Sequence, residues 1–217
     1  DPVMDGPVIQ RASEIALAGG VRTADTLRIV ETVAAAGVPV VTMTYWNPVE
    51  RYGVEAFARD LAAAGGTGLI TPDLIPEEAG DWLAASDAYD LDRTFLVSPS
   101  STDARIASTT AACRGFVYAT AVMGVTGARE SASDAAPRLV QRVRPATDLP
   151  VGVGLGVGTG AQAATVASYA DGVIVGSALV RCLLGAPDRT AGEAALRTLA
   201  AELAQGVRAR PAVTRTG

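Results

Sequence analysis

The chain has 217 residues, 49% of them apolar, and a net charge of −5. That length allows one sizeable core and is short for two domains, no uncharged apolar run approaches the ~20 residues of a membrane span, and an acidic balance without a basic block argues against nucleic acid. Histidine and lysine are both absent, so all eighteen basic residues are arginine, which excludes Schiff-base lysine chemistry, histidine triads, histidine metal sites and the P-loop lysine.

Any proton transfer must therefore fall to carboxylates or tyrosines. No signal-peptide pattern opens the chain, so it reads as a soluble cytoplasmic protein without membrane attachment. An opening on Asp1 instead of Met implies a natural start further upstream. Cys113 and Cys182 lack metal-ligand spacing and are expected to be reduced thiols.

Along the chain, strand and helix alternate with a repeat of roughly 25–30 residues, the length of a βα unit. Helical periodicity runs from Val8 to Ala18 and from Thr23 to Ala36, with Thr23 as the expected N-cap. Val38 to Thr44 reads as a strand, and Val54 to Ala64 as a helix closed by Gly65-Gly66. A strand Gly68 to Thr71 and a helix Glu77 to Ala85 follow. Strand Thr94 to Val97 leads through a Ser100-Ser-Thr-Asp cap into a helix ending at Ala112. Strand Gly115 to Thr120 precedes a long Gly/Ser-rich loop and a helix from Ala135 to Arg144.

Two glycine-bracketed strands complete the series: Pro150-Val-Gly-Val-Gly-Leu-Gly-Val-Gly158 and Asp171-Gly-Val-Ile-Val-Gly-Ser177. Helices are expected over Thr159–Tyr169, Ser177–Leu184 and Ala191–Val207. One barrel domain over residues 1–207 and a polar tail over 208–217 are the expected organisation.

Continuous apolar strands between helices imply a parallel sheet covered on both faces. Six strands are countable. A doubly wound sheet is the structural alternative, but the first βα turn lacks a GxGxxG fingerprint. Polar residues (Thr44-Tyr45, Asp73, Ser98, Thr120) and the two glycine turns recur at strand C-terminal ends, which is the arrangement of a (β/α)8-barrel active site. Glycine lets a ligand approach the backbone, and helix-start N–H groups are free donors, so the last two turns form a candidate anion cup. Close helix–strand packing would also demand small residues there. These features point to an enzyme acting on a phosphorylated small molecule.

Four segments, Asp1-Pro-Val-Met-Asp-Gly-Pro7, Met43-Thr-Tyr-Trp-Asn-Pro48, Met123-Gly-Val-Thr-Gly127 and the glycine-strand pair, follow one another in the order seen in the α subunit of tryptophan synthase, which the chain resembles over essentially its whole length. The arginine- and alanine-rich composition suggests an actinobacterial-type source. The resemblance implies an α/β, TIM (β/α)8 barrel with about six of its eight strands present. It also implies a lyase that cleaves indole-3-glycerol phosphate to indole and glyceraldehyde 3-phosphate in tryptophan biosynthesis. No cofactor is implied in this subunit. Indole would pass to a PLP-dependent β subunit in an α2β2 heterotetramer. Two other readings stay open: a non-catalytic activator of a β subunit, and another phosphate-binding barrel isomerase or epimerase.

Asp5 matches the family aspartate that holds the indole N–H; from the residues alone it reads equally well as an N-cap for the helix after Gly6-Pro7. Asp1 fits a supporting role. Thr126 would bond the catalytic aspartate as its loop closes. Gly127, Gly156, Gly176 and Ser177 would grip phosphate. Tyr45 and Tyr118 match residues lining the substrate pocket, Asp73 matches a strand-end acid, and Tyr45–Gly53 would contribute to the partner interface.

The departures are few. Leu155 replaces a frequent Phe, and Val122 stands where many members carry Arg. Family members have about two more βα units before the position of Asp1, and the second catalytic carboxylate, a glutamate, falls there too. The resemblance thus implies an N-terminally truncated barrel, nearly inactive by itself.

Overall fold

The computed structural model describes residues 5–121 and 134–209. In chain order, α1 (Pro7–Ala18) and α2 (Thr23–Ala34) precede β1 (Val41–Met43), α3 (Trp46–Tyr52), α4 (Val54–Ala63) and β2 (Gly68–Ile70). A 3-10 turn at Pro76–Glu78, α5 (Gly80–Ala88), β3 (Asp92–Thr94), β4 (Leu96–Val97), α6 (Asp103–Ala112) and β5 (Val117–Thr120) follow. The last third holds α7 (Ala135–Val143), β6 (Val151–Gly154), α8 (Gly160–Ala167), β7 (Gly172–Ile174), α9 (Ser177–Leu184) and α10 (Arg189–Arg208). These elements form two compact units.

The first unit comprises Ala16–Tyr118 and Val143–Pro150. Its strands β1, β2 and β3 pair in parallel, with Met43 opposite Ile70 and Ile70 opposite Thr94. Strand β2 is buried on both faces, as its uninterrupted apolar run predicts. Phe57, Leu61, Leu69, Trp82, Leu91 and Phe95 are each at most 1% exposed and form the core here. Gly65 has φ +82°, and the Gly66 N–H donates to the Leu61 carbonyl at 2.9 Å, so the Gly-Gly pair closes α4 as predicted. Gly68 and Gly115 both face Asp92: an added Cβ would lie 2.5 Å from the Asp92 carbonyl oxygen and carboxylate respectively.

Seven strands are present among the described residues, where the sequence predicts six. The predicted Thr94–Val97 strand is a longer run, Asp92–Val97, broken at Phe95. There the Phe95 N–H points to Cys113 Sγ at 3.5 Å, while its carbonyl accepts from the Tyr118 N–H at 3.3 Å. Burial pushes the Cys113 thiol up to about 11, and both cysteines are free thiols. Beside it Arg93, 14% exposed, donates to the Ala112 carbonyl (2.8 Å), to Ser86 Oγ (2.9 Å) and to Asp87 (2.5 Å). The Arg93 and Arg114 guanidiniums hold the Asp87 carboxyl below the usual carboxylate range, Arg93 more strongly.

One local expectation is corrected. The N-cap of α2 is Arg22, not Thr23, and its N–H donates to Asp25 Oδ2 at 2.6 Å. The apolar stripes of α1 and α2 are largely uncovered among the described residues. No residue of α1 is buried, Val30 alone is buried on α2, and Leu17 and Ile29 are each 62% exposed. Periodicity identifies which face is apolar but not what covers it.

The second unit comprises Asp1–Ile15, Ala119–Arg142 and Val151–Gly217. Strand β6 pairs in parallel with β7, Val153 lying opposite Val173, and the Ala121 N–H donates to the Gly154 carbonyl at 3.0 Å. Val151, Val153, Val157, Ala163 and Val166 are buried. Thr159 caps α8 and Asp188 caps α10 through their side chains. No helix among the described residues is long and apolar enough to cross a membrane.

Candidate functional site

In the second unit the two glycine turns lie side by side. A Cβ built on Gly158, after β6, would touch the Ala178 Cβ in the first turn of α9 at 3.7 Å. The glycines of these turns are not equivalent. Gly156 has φ +76°, and a Cβ there would meet nothing within 4 Å. Gly176 has φ −123°, and its Cβ would likewise meet nothing. Both are exposed. At Gly156 the positive φ itself favours glycine, whereas at Gly176 neither packing nor φ accounts for it, and at both the space a side chain would fill is open.

Gly160 is the opposite case. It is buried, and a Cβ would sit 2.7 Å from the Glu202 carbonyl oxygen. Packing alone explains it.

The donors at the two helix starts are also spoken for differently. The Gly158 N–H donates to Gln162 Oε1 (2.8 Å), and the Gly160 N–H to Glu202 Oε1 (2.7 Å). The start of α9, with Gly176 as N-cap and Ser177 as first residue, has no side-chain cap. Orphan N–H groups at an uncapped helix start suit an anion.

Asp5 belongs to the same unit and is exposed. It stands one residue outside the N-cap position of α1. Gly6 occupies that position with φ +90°, its carbonyl accepting from the Gln10 N–H at 3.0 Å, and Pro7 opens the helix. Asp1, Val122, Met123, Thr126 and Gly127 lie outside the described residues.

In the first unit, Tyr45 is the N-cap of α3, a helix unforeseen in the Tyr45–Gly53 segment, which Gly53 (φ +96°) ends. Pro48 is tolerated because it sits in the first turn. Both oxygens of Asp73, just past β2, accept the Trp46 N–H, at 2.9 and 3.1 Å. The strand-end acid therefore fastens the start of α3 and the tyrosine next to it. Tyr118, on β5, is half-buried. Glu202 and Gln162 were invisible to motif reading, because neither lies within a recognisable pattern. Among the described residues, no group of three or more His, Cys, Asp or Glu is placed to hold a metal ion.

Short parallel strands alternating with helices, the last two followed by glycine turns, define an α/β chain of repeated βα units. The family profile "Tryptophan synthase alpha chain" matches residues 1–208. The tryptophan synthase alpha chain of Salinispora arenicola is 80% identical over 208 residues, covering 96% of this chain and 78% of that protein. The Acidothermus cellulolyticus alpha chain is 66% identical over 212 residues, 98% and 79% of the two chains.

Among solved structures, a ligand-free tryptophan synthase from M. tuberculosis superposes with a TM-score of 0.86 at 62% identity, covering 96% of this chain and 77% of that one. The alpha chain from Legionella pneumophila keeps a TM-score of 0.82 at 31% identity, with 96% and 78% covered. The chain belongs to the tryptophan synthase alpha chain family. Its fold is the family's TIM (β/α)8 barrel type. Its reaction is cleavage of indole-3-glycerol phosphate in tryptophan biosynthesis, a lyase activity.

Proposed function

We propose that Gly156, Gly176 and Ser177, with Gly127, grip the phosphate of indole-3-glycerol phosphate, and that Asp5 acts at the indole end. The observation carrying the phosphate grip is the open space at Gly156 and Gly176 beside an α9 start without a side-chain cap. Backbone donors at that point, and the Ser177 hydroxyl, meet a dianion's need for several hydrogen bonds and a positive dipole end.

The chemistry follows from the substrate. Its carbon–carbon bond to the indole ring breaks once C3 is protonated and the ring nitrogen shares the charge. The side-chain hydroxyl must lose a proton in the same reaction. A carboxylate at the indole N–H, the role of Asp5, stabilises the positive charge as it develops. In a chain without histidine or lysine, carboxylates suit these transfers. By the family resemblance, Tyr45 and Tyr118 are further candidate substrate-lining residues, and Thr126 is the candidate partner of the catalytic aspartate.

No cofactor of its own is needed for this reaction; the PLP belongs to a β subunit, which receives the indole within an α2β2 assembly. The M. tuberculosis relatives are described as tryptophan synthase, which supports that partner. The α3 segment contributes to the interface, and the cytoplasm is the site of action.

Steady-state kinetics of Ser177→Ala test the grip. KM for indole-3-glycerol phosphate rises by roughly ten-fold, as expected for a lost bond to a charged group, and an unchanged KM removes Ser177 from the site.

A further inference from the structure

The turn after β6 is held from behind by the last helix. Glu202, forty-two residues beyond Gly160, lends one carboxylate oxygen to the Gly160 N–H at 2.7 Å. Four residues on, Gly206 presents bare backbone to Gly160, and a Cβ there would overlap the Gly160 carbonyl. Within the turn, Gln162 Oε1 takes the Gly158 N–H at 2.8 Å, and Thr159 Oγ1 takes the Gln162 N–H at 3.3 Å. The start of α8 is thus closed by side chains and carries a carboxylate. An anion would be repelled there. The start of α9, adjoining it through Gly158 and Ala178, has no such cap.

We infer that Glu202 is a positioning residue for the phosphate grip. By fixing the start of α8, it sets the backbone of the Gly156–Gly160 turn against the start of α9, and it leaves α9 as the helix start that receives the anion. The inference rests on the reading of Gly156, Gly176 and Ser177 as phosphate ligands. Gly206 serves the same end by allowing α10 to come within backbone contact of Gly160.

The test compares Glu202→Ala, Glu202→Gln and Ser177→Ala with the unaltered protein. Calorimetric titration with inorganic phosphate and with indole is paired with thermal melting and with kcat and KM for indole-3-glycerol phosphate. Glu202→Ala is expected to raise the phosphate Kd and the substrate KM on the order of ten-fold, leaving the indole Kd and kcat within about two-fold. Glu202→Gln keeps an acceptor oxygen, and recovers most of the loss. A lower melting temperature in Glu202→Ala with unchanged phosphate affinity assigns Glu202 to stability alone and overturns the inference. Tighter phosphate binding in Glu202→Ala also overturns it, since the carboxylate would then act only by repulsion. If Ser177→Ala weakens phosphate binding and Glu202→Ala does not, the grip stands without Glu202. If neither does, the phosphate assignment itself falls.

Discussion

Gly160 and Gly176 open consecutive helices, yet alanine should harm the protein in opposite ways at the two sites. At Gly160 the new Cβ would lie 2.7 Å from the Glu202 carbonyl oxygen and 3.0 Å from its Cγ. The first contact is with backbone, so relief requires α8 and α10 to separate. Overpacking of that kind costs about 1–3 kcal/mol. In a chain of this size, that lowers Tm by roughly 3–10 °C. At Gly176 the Cβ would meet nothing within 4 Å, and stability should move by about 0.5 kcal/mol or less.

The same methyl group at Gly176 would occupy space assigned to phosphate. Losing one backbone bond to a charged group is worth about 1.5–3 kcal/mol, so KM should rise on the order of 10–100-fold. Differential scanning fluorimetry and indole-release kinetics, run on both variants, give the two readouts. A Gly176→Ala enzyme with wild-type KM would refute the ligand argument. A Gly160→Ala enzyme that melts like wild type would refute the packing argument.

Asp73→Ala removes both acceptors of the Trp46 N–H. Stability should fall by about 1 kcal/mol, as for a lost helix cap, and β-subunit affinity in a titration should weaken, with Asp73→Asn restoring much of both. Arg93→Ala leaves the Ala112 carbonyl and Ser86 Oγ without their donor, while exposed Asp87 keeps Arg114, and urea unfolding should show a loss of about 1–2 kcal/mol. The Cys113 thiol, raised by burial to about 11, ionises in the unfolded chain at roughly 8.5. Its contribution to stability is therefore complete below pH ~8.5 and is lost as pH rises through about 11. Denaturant melts from pH 8 to 11 should lose more stability in the native protein than in Cys113→Ala, and a thiol reagent at pH 8 should label Cys182 well before Cys113.

Local chemistry made part of this fold readable in advance. Thr102 and Thr159 cap their helices where Ser/Thr precede a helical stretch, and the Gly65-Gly66 pair stops α4 because glycine accepts positive φ. The strand-end glycine turns were legible for the same reason: absence of a Cβ is a property of the residue itself. What could not be read depends on partners distant in sequence. The break at Phe95 needs the sulfur of Cys113, eighteen residues on, and the Asp73–Trp46 bond spans twenty-seven. Glu202 looks like any helix-surface acid until α10 lies against Gly160. The exposure of Ile29 and Leu17 was equally unreadable, since a hydrophobic stripe has the same spacing whether or not something covers it.

Indole release from indole-3-glycerol phosphate, measured for the full-length protein that carries this chain and for its Asp5→Asn variant, with and without a tryptophan synthase β subunit, tests the central claim most directly. Indole is expected in both settings, faster with the β subunit, with a loss of about 10²–10⁴-fold in Asp5→Asn. No indole in either setting would contradict the lyase assignment, and stimulation of the β subunit without indole release would make the chain an activator instead. Full activity in Asp5→Asn would remove the residue on which the proposed chemistry turns.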